Sequence, residues 1–509
     1  MALFHMMRKI LLALVVSVVF FSCSSEKSNE VLNIAISQDV DSLDVMKSTS
    51  RVLRDILVGS VYEKLFVLED GRLEMELASS YEFGEDGHTL RIDIRKGVKM
   101  HDGSILSPSD VASSLNRYIE CYEAASDMVG DARFLQTESG VFIESGNPLF
   151  LFPYLMASSP QSAVIAKEGS LKENEYGLVT SIIGTGPYVL SSFSPGSSIT
   201  LERFDSYTAY GDDDGSLCGY KHAYFDKIVF SVVPDSTTRR LGLERGDYDF
   251  INDVMSYDIP DLEKNEDVRL LGGEESGSIA LVFNKRSKLS SCPDFRRAVA
   301  YALDYDGLMR ACYGSSGYNV HSDYMEKEQS LFSVSGDPYL DVDLKKAEEA
   351  LAMSAYDGRP FRILTSNLSN LEKIAVAAEG MLRKVGINVE ITVLDWVGFL
   401  EKRNDSSSYD MFISAFSSVV LPTMKLYLSS SYPGWYEDER KDEILSSISK
   451  AESIEESALI WQEAQHYFWH EVPVIVPGHY STVNACSATI DGIIIEDGNH
   501  FWNAKRKTE

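Results

Sequence analysis

The sequence predicts an α/β protein of more than one domain, and three observations carry that expectation. Its 509 residues exceed what one hydrophobic core sustains, since single cores stop growing at about 250 to 300 residues. In the second half, short strand-like runs alternate with helical patterns: SIALVFNK, FRRAVAYALDYDGLMRACYG, FRILTS, LEKIAVAAEGMLRKVG, NVEITVLD and DMFISAF. That alternation is expected of a sheet with parallel strands. Residues 69 to 103 instead hold three turns, EDG, EDG and HDG, between short strands, the punctuation of a small antiparallel sheet.

Taken in order, the chain opens with Arg8 and Lys9 before an apolar run from Ile10 to Phe21, 12 residues long. This is the length of a signal-peptide core and short of the ~20 residues needed to span a bilayer. The run ends at Ser22 and Cys23 and gives way to the polar stretch SSEKSNE. A cysteine at that junction resembles a bacterial lipobox. It implies removal of residues 1–22, lipidation of Cys23, and a polar tether over 23–30.

From Leu32, LNIAIS reads as a strand and is followed by the turn-rich QDVDSLD; a helical stretch is expected from about Val52 to Val67. Leu90 to Ile94 alternates apolar and charged residues, as a strand with one wet face should. In SPSD, Ser107 can cap a helix, Pro108 suits its first turn and Asp110 favours its positive end. Gly184 to Phe204 reads as a turn and a hairpin. His222 to Phe250 reads as strand, helix and strand, with Pro234 and Asp235 opening the helix.

Seventy-seven acidic against 47 basic residues give a net charge of −30, which argues against nucleic acid, whose binding depends on Lys and Arg neutralising phosphates. No GxSxG, HExxH or GxxxxGK[ST] motif occurs, so neither catalytic residues nor a cofactor are expected. GTGP at Gly184 lacks the remaining glycine of a dinucleotide fingerprint. His101 and Asp102 are neighbours on a turn and point apart. His466 and His470 share a helix face with Glu463, a spacing a metal would accept. That helix must also bury Trp461, so it reads as structural and no metal site is expected. Asp39, Asp41 and Asp44 lack the glycine and glutamate of a calcium loop, and Asp212, Asp213 and Asp214 read as a solvated loop. Beyond Cys23, the cysteines 121, 218, 292, 312 and 486 show no CxxC spacing; whether Cys292 and Cys312 pair stays open.

Several blocks, VYEKLF, LASSYEFGEDGHTLRIDIRKGVKMHDGSILSPSDVASSLNR, GTGPYVL, SVVPDSTTRRLGLERGDYDF, LVFNK with PDFRRAVAYALDYDGL, and LRKVGINVEIT with DWVGFL and YDMFISAF, occur in a telling order and spacing. Together they resemble the oligopeptide/dipeptide-type solute-binding proteins of ABC importers, extracellular solute-binding protein family 5, from about Leu32 to the mid-480s. The resemblance implies a two-lobed periplasmic-binding-protein fold with an extra subdomain inserted in the first lobe. Lobe I would comprise 31–60, 184–265 and 484–509, the insert 61–183, and lobe II 266–483, with crossings near 265–285 and 478–486. It further implies a monomeric, exported, lipid-anchored protein that is not an enzyme. Such a protein would deliver a solute, foremost a peptide, to an ABC permease with separate ATPase subunits. An oligosaccharide, haem or a metal chelate is the alternative ligand, and a surface adhesin or sensor the alternative role.

The ligand contacts so expected are Ser37, Gln38 and Asp39 after the first strand, Tyr62, Asn284 at the crossing, Trp396, and Phe416, Ser417, Ser418 and Val419; Trp435 and Tyr436 are further aromatic candidates. In many peptide-binding members, the strand like DMFISAF ends at a tryptophan, and an aspartate three residues on meets the peptide's α-ammonium. Here those positions hold Phe416 and Val419, and no charged residue occurs from Met411 to Thr423. No arginine lies between Arg310 and Arg359, where some dipeptide binders supply a carboxylate partner. The expected ligand is therefore held by shape, apolar contact and main-chain hydrogen bonds.

Overall fold

A computed structural model describes residues 30–507 except 41, 70, 159–160, 213–214, 327–329 and 355. The expected signal peptide, Cys23 and part of each aspartate cluster, Asp41, Asp213 and Asp214, thus lie outside the described residues.

One eleven-stranded sheet runs through the molecule. At one end, Val31–Ile36 pairs in parallel with Lys227–Val232 and Phe250–Ile251. The hairpin Tyr188–Ser194 and Ser198–Arg203 extends that end antiparallel. At the other end, Phe361–Ser366 lies parallel to both Val389–Leu394 and Met411–Ser417. Two antiparallel strands of 16 and 14 residues, Val268–Phe283 and Val474–Ser487, join the two ends. At about 3.3 Å per residue they are long enough to serve both halves. Cys486 and Ala485 pair with Phe250 and Ile251, whereas Gly277 to Phe283 pair with Met411–Ser417. Register shifts fall between Gly272 and Glu275, Glu275 and Gly277, and Ile279 and Leu281; such bulges bend a strand and increase its twist.

Side chains of Met411–Ser417 alternate between the two large cores, as strand geometry requires. Phe412 packs into the core that holds Leu32, Ile56 and Phe152, and Met411 and Ile413 into the one that holds Phe295, Leu308 and Ile374. Of the Asp-Gly turns, one serves as expected: Asp86-Gly87 joins Ala78–Phe83 to Thr89–Ile94, which with Gly140–Glu144 form an antiparallel sheet, in which Leu90 and Ile92 are fully buried. Gly71 instead lies in a separate hairpin of Phe66–Glu69 and Arg72–Met75, and Gly103 between the bridged Lys99 and Ile105. Ser107 and Asp110 form a reciprocal capping box on the helix Pro108–Cys121. Asp235 caps Ser236–Arg245.

The helix expected from Val52 to Val67 is shorter. It spans Arg51–Leu57, and the chain then forms Glu63–Lys64 and Phe66–Glu69. Gly59 ends it with φ +78°, and any Cβ there would lie 2.0 Å from the Trp502 ring. The apolar residues beyond Gly59 that suggested more helix, Val61, Tyr62 and Phe66, are all fully buried; they mark immersion on every side rather than one helical face. Cys292, Cys312 and the other three described cysteines are free thiols. Among the described residues, no helix is long and apolar enough to cross a membrane.

Candidate functional site

Ser50 accepts a hydrogen bond from the Leu53 backbone N–H and starts the helix Arg51–Leu57. Leu53, Ile56 and Leu57 sink into the core. Arg51 and Arg54, three residues apart and so on one face, line a cavity of about 970 Å³. Arg51 pairs with Asp253, and Ser37 Oγ donates to the same carboxylate. Two features of local chemistry, a capped short helix and a carboxylate on Asp253, itself at positive φ, thereby fix one arginine in place.

The cavity takes its walls from segments far apart in the chain. Leu68, Tyr81 and Tyr154 come from the region of the small antiparallel sheet; Gly272, Glu275, Thr482 and Asn484 from the two joining strands; Ser417, Ser418, Val419 and Val420 from the end of Met411–Ser417 and beyond; and Ile495 to Asn499 from the C-terminal turn. Three arginines and five carboxylates are among the lining residues. The floor near Ser417 depends on a close backbone approach. Gly277 is paired with Ser417, and a Cβ on Gly277 would lie 2.0 Å from the Phe416 carbonyl oxygen. The Ser418 N–H donates to the Ser276 carbonyl at 3.0 Å.

A buried polar cluster adjoins this floor. Lys425 Nζ donates to both oxygens of Glu326 at 2.7 and 3.0 Å. Glu275 accepts from Asn319 Nδ2 at 2.9 Å and meets His321 Nε2 at 3.0 Å. The His321 and His479 rings stack with centroids 4.0 Å apart. His479 Nε2 lies 2.8 Å from the Asp323 carbonyl and so carries the ring proton, while Nδ1 faces Glu275 and Glu326 at 3.7 and 3.8 Å. Burial, aided by neighbouring His321 and Lys425, pushes the His479 pKa down to about 3. Glu275, His321 and His479 offer ligand atoms within 4.8 Å of one another, a grouping that their wide spacing in sequence had concealed.

The expected contact residues separate into two sets. Ser417, Ser418 and Val419 line the cavity. Ser37 stands behind it, tied to Asp253 and to Asn252 Oδ1, which its N–H meets at 2.8 Å. The remaining six do not line it. Gln38 is exposed, and Asp39 accepts the Gly196 N–H at 2.7 Å, securing a hairpin turn. Tyr62 is fully buried. Asn284 is also buried and commits its amide to the Ser406 and Tyr409 carbonyls at 2.7 and 2.8 Å. Trp396 opens the helix Trp396–Arg403 and stacks on Phe399, and Phe416 packs edge-on against Tyr427. Of the motifs set aside, His101 Nε2 meets the Gly186 carbonyl at 3.0 Å and holds the GTGP turn, and His466 packs against Trp469.

Arg51 and Arg54 were missed, although RVLRDIL offered a signal: arginines three apart inside a run whose other residues, Asp55 aside, are apolar. Glu275, Thr482 and Asn484 gave no local sign, because their place in the wall follows from strand pairing alone.

Two half-sheets joined by a pair of long strands, with a cavity lined along those strands, form the frame in which the family can be read. The chain belongs to the bacterial extracellular solute-binding proteins, family 5, whose middle-region model matches residues 72–438. It is 23% identical over 479 residues to a probable peptide ABC transporter periplasmic-binding protein of Sinorhizobium fredii, covering 88% of each chain. It is likewise 23% identical over 492 residues to a glutathione-binding protein of Escherichia coli (strain K12), covering 92% of each. A dipeptide-binding protein from Pseudoalteromonas sp. SM9913 in complex with Met-Leu matches with a TM-score of 0.79 at 19% identity, over 94% of this chain and 100% of that one. Members of the family act outside the cytoplasm as the binding components of transport systems.

Proposed function

We propose that this protein captures a peptide outside the cytoplasm and presents it to an ABC permease with separate ATPase subunits by closing its two halves around the ligand. The observation that carries the reading is the cavity of about 970 Å³ walled by the helix Arg51–Leu57, by the two joining strands and by the end of Met411–Ser417. That volume is at the upper end of the ~300 to 1,000 Å³ of small-molecule sites. Lobe I is assigned to 31–60, 184–265 and 484–509, the insert to 61–183 and lobe II to 266–483; the bulged joining strands are the hinge. Closure proceeds only as far as the ligand prefers the closed state.

The relatives named for peptide and glutathione binding support a peptide, and so does a wall carrying charges of both signs. Ser417 to Val419 supply uncharged contacts suited to a peptide main chain. The N-terminal sequence supports export and lipid anchoring through Cys23, and the protein works as a monomer. Native mass spectrometry of the purified protein tests the reading: a bound species that fragments as a peptide is expected, and its addition to emptied protein should reduce the radius of gyration in solution scattering. A carried sugar or metal chelate would replace the peptide reading. Absence of any thermal shift with pools of di- to pentapeptides would overturn it.

A further inference from the structure

Arg54 lines the cavity and is 7% exposed, yet its Nε and Nη1 have no hydrogen-bond partner among the described residues. Its neighbour Arg51 is paired with Asp253. Two carboxylates act on Arg54 through space, Asp497 and Asp55, but each is engaged elsewhere. Asp55 accepts the Asn499 N–H at 3.1 Å and Asn499 Nδ2 at 2.6 Å; Asp497 lies 3.7 Å from Lys64 Nζ. A guanidinium does not shed its proton in a protein, so burial leaves a charge whose hydrogen bonds must come from something else. The planar fork of a guanidinium matches a carboxylate in shape and charge.

We infer that Arg54 is an anion anchor: its side chain receives a carboxylate of the ligand held in the cavity. The inference rests on the reading of the cavity as a ligand site, and assigns one end of that ligand its chemistry. It supplies the fixed acidic-end contact that the sequence lacks between Arg310 and Arg359, from a helix near the opposite end of the chain.

The test uses full-length protein, emptied of ligand, in wild-type, Arg54→Met and Arg54→Lys forms. Thermal shifts are recorded with acetate and with acetamide at matched ionic strength, and binding is measured for tri- to pentapeptide pools carrying a free or an amidated C-terminus. Acetate should stabilise wild type and not Arg54→Met. The empty Arg54→Met protein should be at least as stable as wild type, because the desolvation of a buried guanidinium whose Nε and Nη1 make no hydrogen bond is relieved, and Asp55 and Asp497 keep their Asn499 and Lys64 contacts. Wild type should prefer free acids over amides by roughly ten- to a hundredfold, the worth of a charged hydrogen bond; Arg54→Met should abolish the preference, and Arg54→Lys should retain part of it. An acetate response unchanged in Arg54→Met, or peptides bound without acid-over-amide preference, would overturn the anchor while leaving the peptide reading in place. An Arg54-dependent acetate response with no peptide binding would sustain the anchor and remove the peptide reading.

Discussion

Replacing Lys425 with methionine should destabilise the protein by about 3 to 5 kcal/mol, the cost of removing one partner of a buried ion pair. The side chains of Lys425 and Glu326 are 1% and 0% exposed, so water cannot compensate the carboxylate left behind. Two contacts at 2.7 and 3.0 Å are lost together, and His479 Nδ1, 3.8 Å from Glu326, has no proton to offer while Nε2 holds it. Lys425 also lies between the turns Pro422–Met424 and Leu426–Leu428. It therefore fastens the segment that follows the cavity wall at Val420 to the 322–326 region. Replacing both residues, Lys425→Met with Glu326→Leu, should recover most of the loss, because the pair's mutual attraction and its desolvation cost nearly cancel. Urea unfolding followed by both tryptophan fluorescence and circular dichroism measures each variant, with coincident transitions required before energies are compared. The reasoning is refuted if Lys425→Met lies within about 1 kcal/mol of wild type, or if the double variant is no more stable than the single one.

Two further perturbations test the floor and the C-terminal turn. Gly277→Ala forces a Cβ to within 2.0 Å of the Phe416 carbonyl oxygen and 2.7 Å of Tyr480 Oη. It should cost about 1 to 3 kcal/mol or more in urea unfolding and weaken ligand binding, whereas Gly146→Ala, with nothing within 4 Å, should leave binding unchanged. Burial holds His500 neutral and lowers its pKa from 6.5 to about 4, outweighing the Glu496 carbonyl 2.8 Å from Nε2, which favours the charged ring. The unfolded chain therefore binds the proton first, and this contribution, intact above pH 6.5, is lost as pH falls towards 4, at up to about 1.4 kcal/mol per pH unit. Asp55, raised to about 6 by burial, acts in the opposite sense. The informative quantity is thus wild type minus His500→Gln across pH 4 to 7; parallel stability curves would contradict the assignment.

Much of the fold was legible wherever one residue's neighbours in sequence are also its neighbours in space. The Ser107 and Asp110 capping box, the Asp235 cap, the Asp-Gly hairpins and the alternation of Leu90 to Ile94 are of this kind. The over-long helix after Val52 shows the limit: complete burial of Val61, Tyr62 and Phe66 imitates a helical period, and the residue that stops the helix, Gly59, does so against Trp502, more than 400 positions away. Ser417 to Val419 were legible as a cavity wall because their family position carries that information. Tyr62 and Asn284 occupy similarly suggestive positions, yet their side chains serve the interior.

By itself the sequence determined the class of protein, the short elements and the absence of charge from Met411 to Thr423, since local propensity, turn chemistry and motif order are written along the chain. Only the tertiary structure decided what lines the cavity. The pairing of Val268–Phe283 with Val474–Ser487 collects Glu275, Thr482 and Asn484 in one wall. Folding likewise brings Arg54 to the same cavity as Ser417, and leaves its Nε and Nη1 without a hydrogen-bond partner among the described residues. Such placements depend on contacts between residues hundreds of positions apart, which local composition cannot encode.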